Sequence, residues 1–227
     1  MSQLKIVVRY LSLLLLLGLA VQAGALASDK KANDQLRTQF EPLFVTVTRE
    51  LEKNQAYYLE NPSAYYGFID RELKPRWDAS STTRALIGKQ SFLALEKEQR
   101  LALVEAVEGT LRRYAFEGLE HYSGQVFSLQ DVVANESGMG WVQVKMESPV
   151  IPDIHLDLLV KRDKQGLWKA VDVRFKGITY VSIKKHEFRE ILADQGIQGL
   201  IDELESKNSQ YFQVVCNNAD LEGEGPC

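Results

Sequence analysis

Four side chains have the types that acid–base chemistry uses: Asp157, Asp172, His121 and His155. A small isomerase or dehydratase would need one of them buried beside a polar partner. Strand periodicity puts Asp157, Asp172 and His155 on an outward face, and His121 stands at a helix end beside Tyr122, where capping or surface duty is the ordinary use. Lys184-Lys185-His186 and Arg174 could meet a phosphate or an acidic patch, or could be solvated surface charge. Cys216 and Cys227 are the only cysteines, placed in a tail after the last helix, and oxidising surroundings would join them in a short loop of local effect. Neither lies near a metal-ligand cluster, and the sequence has no Gly-rich phosphate loop, nucleophile elbow or metal-ligand spacing. No catalytic group, metal or cofactor is expected.

The N-terminus speaks to compartment. Lys5 and Arg9 make a basic start, Leu11 to Val21 is an apolar run broken only by Ser12 and Gly18, and Ala25-Leu26-Ala27 supplies small residues at the cleavage-recognition positions. Residues 1–27 are therefore expected to be a removed signal peptide, residues 28–213 one domain, and residues 214–227 a tail. The apolar run is short beside the roughly 20 residues a spanning helix needs. Losing the leader removes two bases and no acid, so 25 bases face 31 acids. Nucleic acid is excluded as a partner on that balance, and scattered bases give little grip on an anionic membrane.

The first half reads as helices. Leu43, Val47 and Leu51 recur at helical spacing, predicting a helix from about Glu41 to Lys53 with Pro42 in its first turn. Asn61-Pro62 opens a second helix that continues toward Leu73, before Pro75, and a short piece ends at Gly88. The longest runs from about Glu98 to Tyr122, with Leu101, Val104, Val107, Leu111, Tyr114 and Tyr122 on an inward stripe.

The second half reads as strands at Gln125 to Val133, Gly140 to Met146, Ile154 to Lys161 and Leu167 to Phe175, separated by turn residues. Val142, Val144 and Met146 share one face, as do Leu156, Leu158 and Val160, and then Val171, Val173 and Phe175. Gln143, Lys145, Asp157, Lys161, Asp172 and Arg174 face the other way. After a turn at Gly177 come two amphipathic helices broken at Gly196. Helices first and an antiparallel sheet second make an α+β arrangement.

The order of residues 167 to 208, from Leu167-Trp168-Lys169 through Gly177, Phe188, Gly196 and Leu204, resembles the C-terminal signature of the MlaC family of periplasmic phospholipid carriers. Asn61-Pro62 with Leu73-Lys74-Pro75, Glu98-Gln99-Arg100, and Tyr122-Ser123-Gly124-Gln125 extend the resemblance over nearly the whole mature chain. Ile178-Thr179-Tyr180 stands where the family commonly has a valine-serine-hydrophobe run, and the cysteine-bearing acidic tail is unlike it.

The resemblance implies a nuclear-transport-factor-like fold, in which helices pack on a strongly bent antiparallel sheet and enclose an apolar cavity, with C-terminal helices beyond. It also implies a monomeric shuttle, without cofactor, whose cargo is phospholipid. Its partners would be an outer-membrane lipoprotein and porin complex and an inner-membrane ABC transporter with an MCE-domain subunit. The lipid-binding residues would be the strand face of Val142, Val144, Met146, Leu156, Leu158, Val160, Val171, Val173 and Phe175. Leu111, Tyr114, Ile178, Phe188 and Ile191 would add to it from the helices and the turn. Tyr57-Tyr58, Tyr65-Tyr66 and Trp77 suit either a cavity mouth or ordinary helix crossings. Read without the family, the same apolar faces describe a closed core more readily than a cavity, and only the resemblance tips the set toward a cavity. An isomerase or dehydratase on a similar fold, or an adaptor that binds only protein, are the other readings.

Overall fold

A computed structural model describes the backbone of residues 2–135, 137–149 and 152–218, with side chains from Lys30 onward. The first helix, α1 (Ser2–Glu60), runs well past both ends of the expected segment. Pro42 lies in its interior, contrary to the first-turn expectation, and withholds an N–H from the Thr38 carbonyl. The helix continues because Pro42 faces solvent while both flanks are anchored, by buried Leu36 and Phe40 before it and Leu43, Phe44 and Leu51 after it. The expected leader falls in the first part of α1, and its side chains lie outside the described residues. Among the described residues, no helix is long and apolar enough to cross a membrane.

Next come α2 (Pro62–Glu72), a 3-10 turn (Lys74–Arg76), α3 (Ala79–Ile87), α4 (Lys89–Ala94) and α5 (Lys97–Glu120). Asn61 precedes Pro62 as expected, but its amide turns back to donate to the Tyr57 carbonyl at 2.9 Å and makes no cap. Asp78 does cap α3, accepting from the Ser81 N–H at 2.9 Å, and Glu96 with Gln99 forms a reciprocal capping box on α5. The inward stripe of α5 differs from the one expected. Leu103, Ala106, Val107, Phe116 and Leu119 are buried, Leu111 and Tyr114 are half-buried, and Leu101 is 61% exposed.

Five strands follow in sequential antiparallel order: β1 (Val126–Ala134), β2 (Met139–Glu147), β3 (Ile154–Arg162), β4 (Trp168–Phe175) and β5 (Ile178–Thr179). The sheet is open, and helix α1 manages its β1 edge. Asn33 and Thr48 on α1 accept from the Ala134 and Phe127 N–H groups at 2.7 and 2.9 Å, so these two edge donors, near the two ends of β1, are satisfied by the helix. Gln39 accepts from the Trp168 N–H at 3.1 Å, and its amide donates to the Trp168 carbonyl, fixing α1 to the start of β4. Gly140 permits this closeness: a Cβ there would lie 2.8 Å from the Val133 carbonyl oxygen and 3.2 Å from the Leu36 Cδ1.

Bulges bend the ladder between Leu129 and Asp131 and again where Leu159 and Val160 face Asp172 and Ala170. The second bulge corrects the expected face of β4. Val171 is the extra residue, so Ala170 and Val173 pair with Val160 and Leu158, and the simple period of two through Val171 fails. Asp172 is 6% exposed and far from outward-facing in effect. Its Oδ1 accepts from the Val181 N–H at 3.1 Å and the Val173 N–H at 2.9 Å, tying β4 to the start of α6 (Tyr180–Asn218). Helix α6 is two arms joined at Gly196, whose φ of 73° and ψ of −174° are non-helical. Cys216, expected in a tail, lies in the second arm and is disulfide-bonded; Cys227 lies outside the described residues.

Three apolar clusters hold these layers. Leu36, Phe40, Leu43 and Phe44 of α1 close on Val132, Val142, Val144, Val160 and Trp168 of the sheet. Leu86, Phe92, Leu103, Val107, Phe188, Leu200 and Leu204 join α3, α4, α5 and α6. Tyr58, Tyr65, Phe68, Phe116, Leu119 and Val215 join α1, α2, α5 and the end of α6.

Candidate functional site: an apolar cavity with one charged wall

Helix α1 fills the space over β1 and β2. Over β3 and β4 the layer is completed by α2, the 3-10 turn, α5 and the start of α6, and there a cavity of about 450 Å³ remains. Its sheet wall is Leu156, Leu158 and Val173, and its helix walls include Ile69, Leu73, Leu111, Ala115 and Ala79. Trp77 is held at the wall by backbone pairing next to Ala170, where the Asp78 N–H donates to the Ala170 carbonyl at 2.8 Å, and its indole N–H donates to Thr82 Oγ1 at 2.9 Å. Tyr114 and Tyr180 meet edge to face at 5.8 Å on another side.

All four charged lining residues sit on one wall. Asp70 of α2 and Lys74 of the 3-10 turn face Arg112 and Glu108 of antiparallel-running α5, four residues apart on each side. Arg112 is 2.6 Å from Asp70, and Lys74 is 2.8 Å from Glu108. The four are partly exposed, so this strip borders solvent, while the Arg112 guanidinium also lies over the Tyr66 ring at 5.4 Å. The Tyr180 hydroxyl is buried without a hydrogen-bond partner among the described residues, and burial pushes its phenol well above the usual range.

Leu111, Tyr114, Leu156, Leu158 and Val173 are thus gathered at the cavity. The other residues of the expected lipid face are elsewhere, for identifiable reasons. Val142, Val144 and Val160 are sealed under α1, and Phe188 and Ile191 belong to the helical cluster. Val171 is displaced by the bulge, and Met146 lies near the far end of β2, opposite Ile154. Phe175 and Ile178 pair in the row that continues Leu156 outward, but they are 41% and 56% exposed. Periodicity identified the face without telling which part of it α1 would cover. Ile69, Leu73, Ala79, Ala115 and Tyr180 were missed, and so was the charged strip; the spacing of four in Asp70/Lys74 and Glu108/Arg112 was its one visible trace.

The groups that could have done acid–base chemistry are committed elsewhere. Asp157 forms an ion pair at 2.8 Å with Arg174, whose guanidinium stacks 4.0 Å from the Trp141 ring centroid. Asp172 caps a helix, His155 and His121 are exposed, and His121 is the C-cap of α5. Lys184 pairs with Glu187 at 2.8 Å and His186 lies 3.2 Å from Glu190, so two of the three side chains in this basic run already face a carboxylate. Tyr58 and Tyr65 are buried in the aromatic cluster, Tyr66 stacks on Phe212, and Tyr57 faces solvent; of the aromatic residues proposed for a mouth, Trp77 lines the cavity. Among the described residues no group of three or more His, Cys, Asp or Glu could hold a metal ion.

A family model described as MlaC protein matches residues 28–206. Among solved structures, the chain is similar to a phospholipid-binding protein from Ralstonia solanacearum, determined in complex with a phospholipid. The two share 19% identity with a TM-score of 0.65, over 80% of this chain and 98% of that one, which establishes a common fold.

Proposed function

Because the chain belongs to the MlaC family across residues 28–206, we propose that it binds phospholipid by its acyl chains in the cavity between α2, α5, β3 and β4. The observation that carries the reading is the cavity itself: about 450 Å³, within the roughly 300–1,000 Å³ of ligand pockets, and apolar on every wall but one. The similar Ralstonia protein holds a phospholipid on the same fold, which supports the same cargo here.

Physics explains why such a carrier is needed. Each methylene exposed to water costs about 0.8 kcal/mol, so a tail of about fifteen costs on the order of 12 kcal/mol. A cavity walled by Leu, Ile, Val and Trp replaces the bilayer for the tails, and a wall that reaches solvent leaves the headgroup wet. The protein is a binding protein rather than an enzyme on this reading: the two carboxylates at the cavity, Asp70 and Glu108, are held in ion pairs with Arg112 and Lys74 on the partly exposed strip, and the rest of the lining is apolar or tyrosine. It works in the periplasm after removal of residues 1–27, as a monomer, and passes lipid between an outer-membrane lipoprotein and porin complex and an inner-membrane ABC transporter with an MCE-domain subunit. Outer-membrane lipid asymmetry is the property it maintains.

A transfer assay tests this. Fluorescent phospholipid in donor vesicles, separated from acceptor vesicles by a membrane that passes protein, should reach the acceptor only when the protein is present. Transfer no faster than with an equal amount of unrelated protein would contradict the proposal.

A further inference from the structure

The charged strip at the cavity suits a headgroup that carries both signs. Its two acids and two bases sum to zero and alternate: Asp70 opposite Arg112, and Lys74 opposite Glu108. Every other lining residue is apolar or a tyrosine, so tails that fill the cavity leave the headgroup at this strip, the one wall with charge. Arg112 is steadied over the Tyr66 ring, whereas Lys74 is the more exposed of the two bases.

From this arrangement we infer that Asp70, Lys74, Glu108 and Arg112 select zwitterionic glycerophospholipids over anionic ones. The inference rests on the phospholipid reading above and adds the headgroup class. A phosphate set among Lys74 and Arg112 draws their positive charge away from the two carboxylates, and an ammonium group restores the balance by pairing with Asp70 or Glu108. A glycerol headgroup brings the same phosphate and no cation, so the carboxylates that lost their partners face one another and the phosphate uncompensated. Because the four side chains are partly exposed, the preference is modest and screened by salt.

The test uses the delipidated mature protein incubated with vesicles of equal phosphatidylethanolamine and phosphatidylglycerol content and matched acyl chains. After repurification, bound lipids are quantified by mass spectrometry. Wild type should hold the zwitterionic lipid in about two- to fivefold excess over its share in the vesicles at low salt, falling toward parity at high salt. The double variant Asp70→Asn/Glu108→Gln leaves two unopposed bases and should reverse the preference between the two lipids. Lys74→Gln/Arg112→Gln leaves two acids and should take up less of the anionic lipid than wild type. The salt series on unaltered protein keeps the test valid if a variant fails to fold. Normal total lipid with vesicle proportions in wild type and variants alike overturns the headgroup inference alone. Absence of lipid from the wild type overturns the carrier reading and the inference with it.

Discussion

Leu158 and Phe40 lie on related faces of the same two-layer structure, yet they should respond oppositely to substitution. Phe40 is fully buried between α1 and the sheet, so Phe40→Ala is expected to cost about 3–5 kcal/mol in denaturant unfolding. Leu158 borders the cavity, so Leu158→Asp should lower stability far less and abolish lipid retention, because it places a charge where an acyl chain would lie. A large loss of stability with normal lipid content in Leu158→Asp would mean that the space is core. Asp172 makes a third contrast. Its carboxylate serves two backbone N–H groups, so Asp172→Ala should cost about 1–2 kcal/mol and leave lipid content unchanged. The sequence showed Asp172 as an alternating polar residue on a solvent face; the bulge at Val171 and the helix start at Tyr180 give it its real work, and neither leaves a mark in a period of two.

At the scale of elements, the strands and the α5 helix were legible because each carries a strong local signal: period two between turn residues, or a long run of apolar residues at helical spacing. The continuation of α1 through Pro42 was not, since long-range packing of Leu36, Phe40 and Leu51 overrides the proline's local cost. The division of the sheet face into closed core and cavity was equally hidden, because it depends on where α1 lies rather than on any strand's own residues. Gly196 was readable, and its conformation explains why. At φ 73° only glycine is comfortable, and a Cβ there would meet open space, so any cost of replacement comes from the backbone alone. Gly196→Ala should therefore destabilise by about 1–3 kcal/mol or straighten α6. Thermal unfolding checks the first outcome, and hydrogen exchange in the two arms checks the second.

For the molecule as a whole, the three clusters are not equally sensitive to conditions. The cluster joining α1, α2, α5 and α6 is rich in tyrosine, and there Tyr58, through burial and a hydrogen bond to Glu50, and Tyr66, through burial, are both pushed up to about 12. A phenol whose folded pKa lies above its ordinary value near 10 stabilises the fold fully below pH 10, and that contribution is lost as pH rises toward 12. Unfolding monitored by circular dichroism should begin above pH 10 and coincide with phenolate absorbance; early titration of these rings without unfolding would contradict their burial. The family resemblance made the architecture legible from the sequence, through the order of caps, turns and apolar positions spread along the chain. The cavity's polarity was not, because Asp70, Lys74, Glu108 and Arg112 look like ordinary surface charges until α2 and α5 are set side by side. Whether the gap between these layers takes up acyl chains is decided by native mass spectrometry of the purified mature protein: a mass increase equal to bound phospholipid at about one per chain is expected, lost in Leu158→Asp, whereas wild-type protein that remains lipid-free even after incubation with phospholipid vesicles would rule the carrier out.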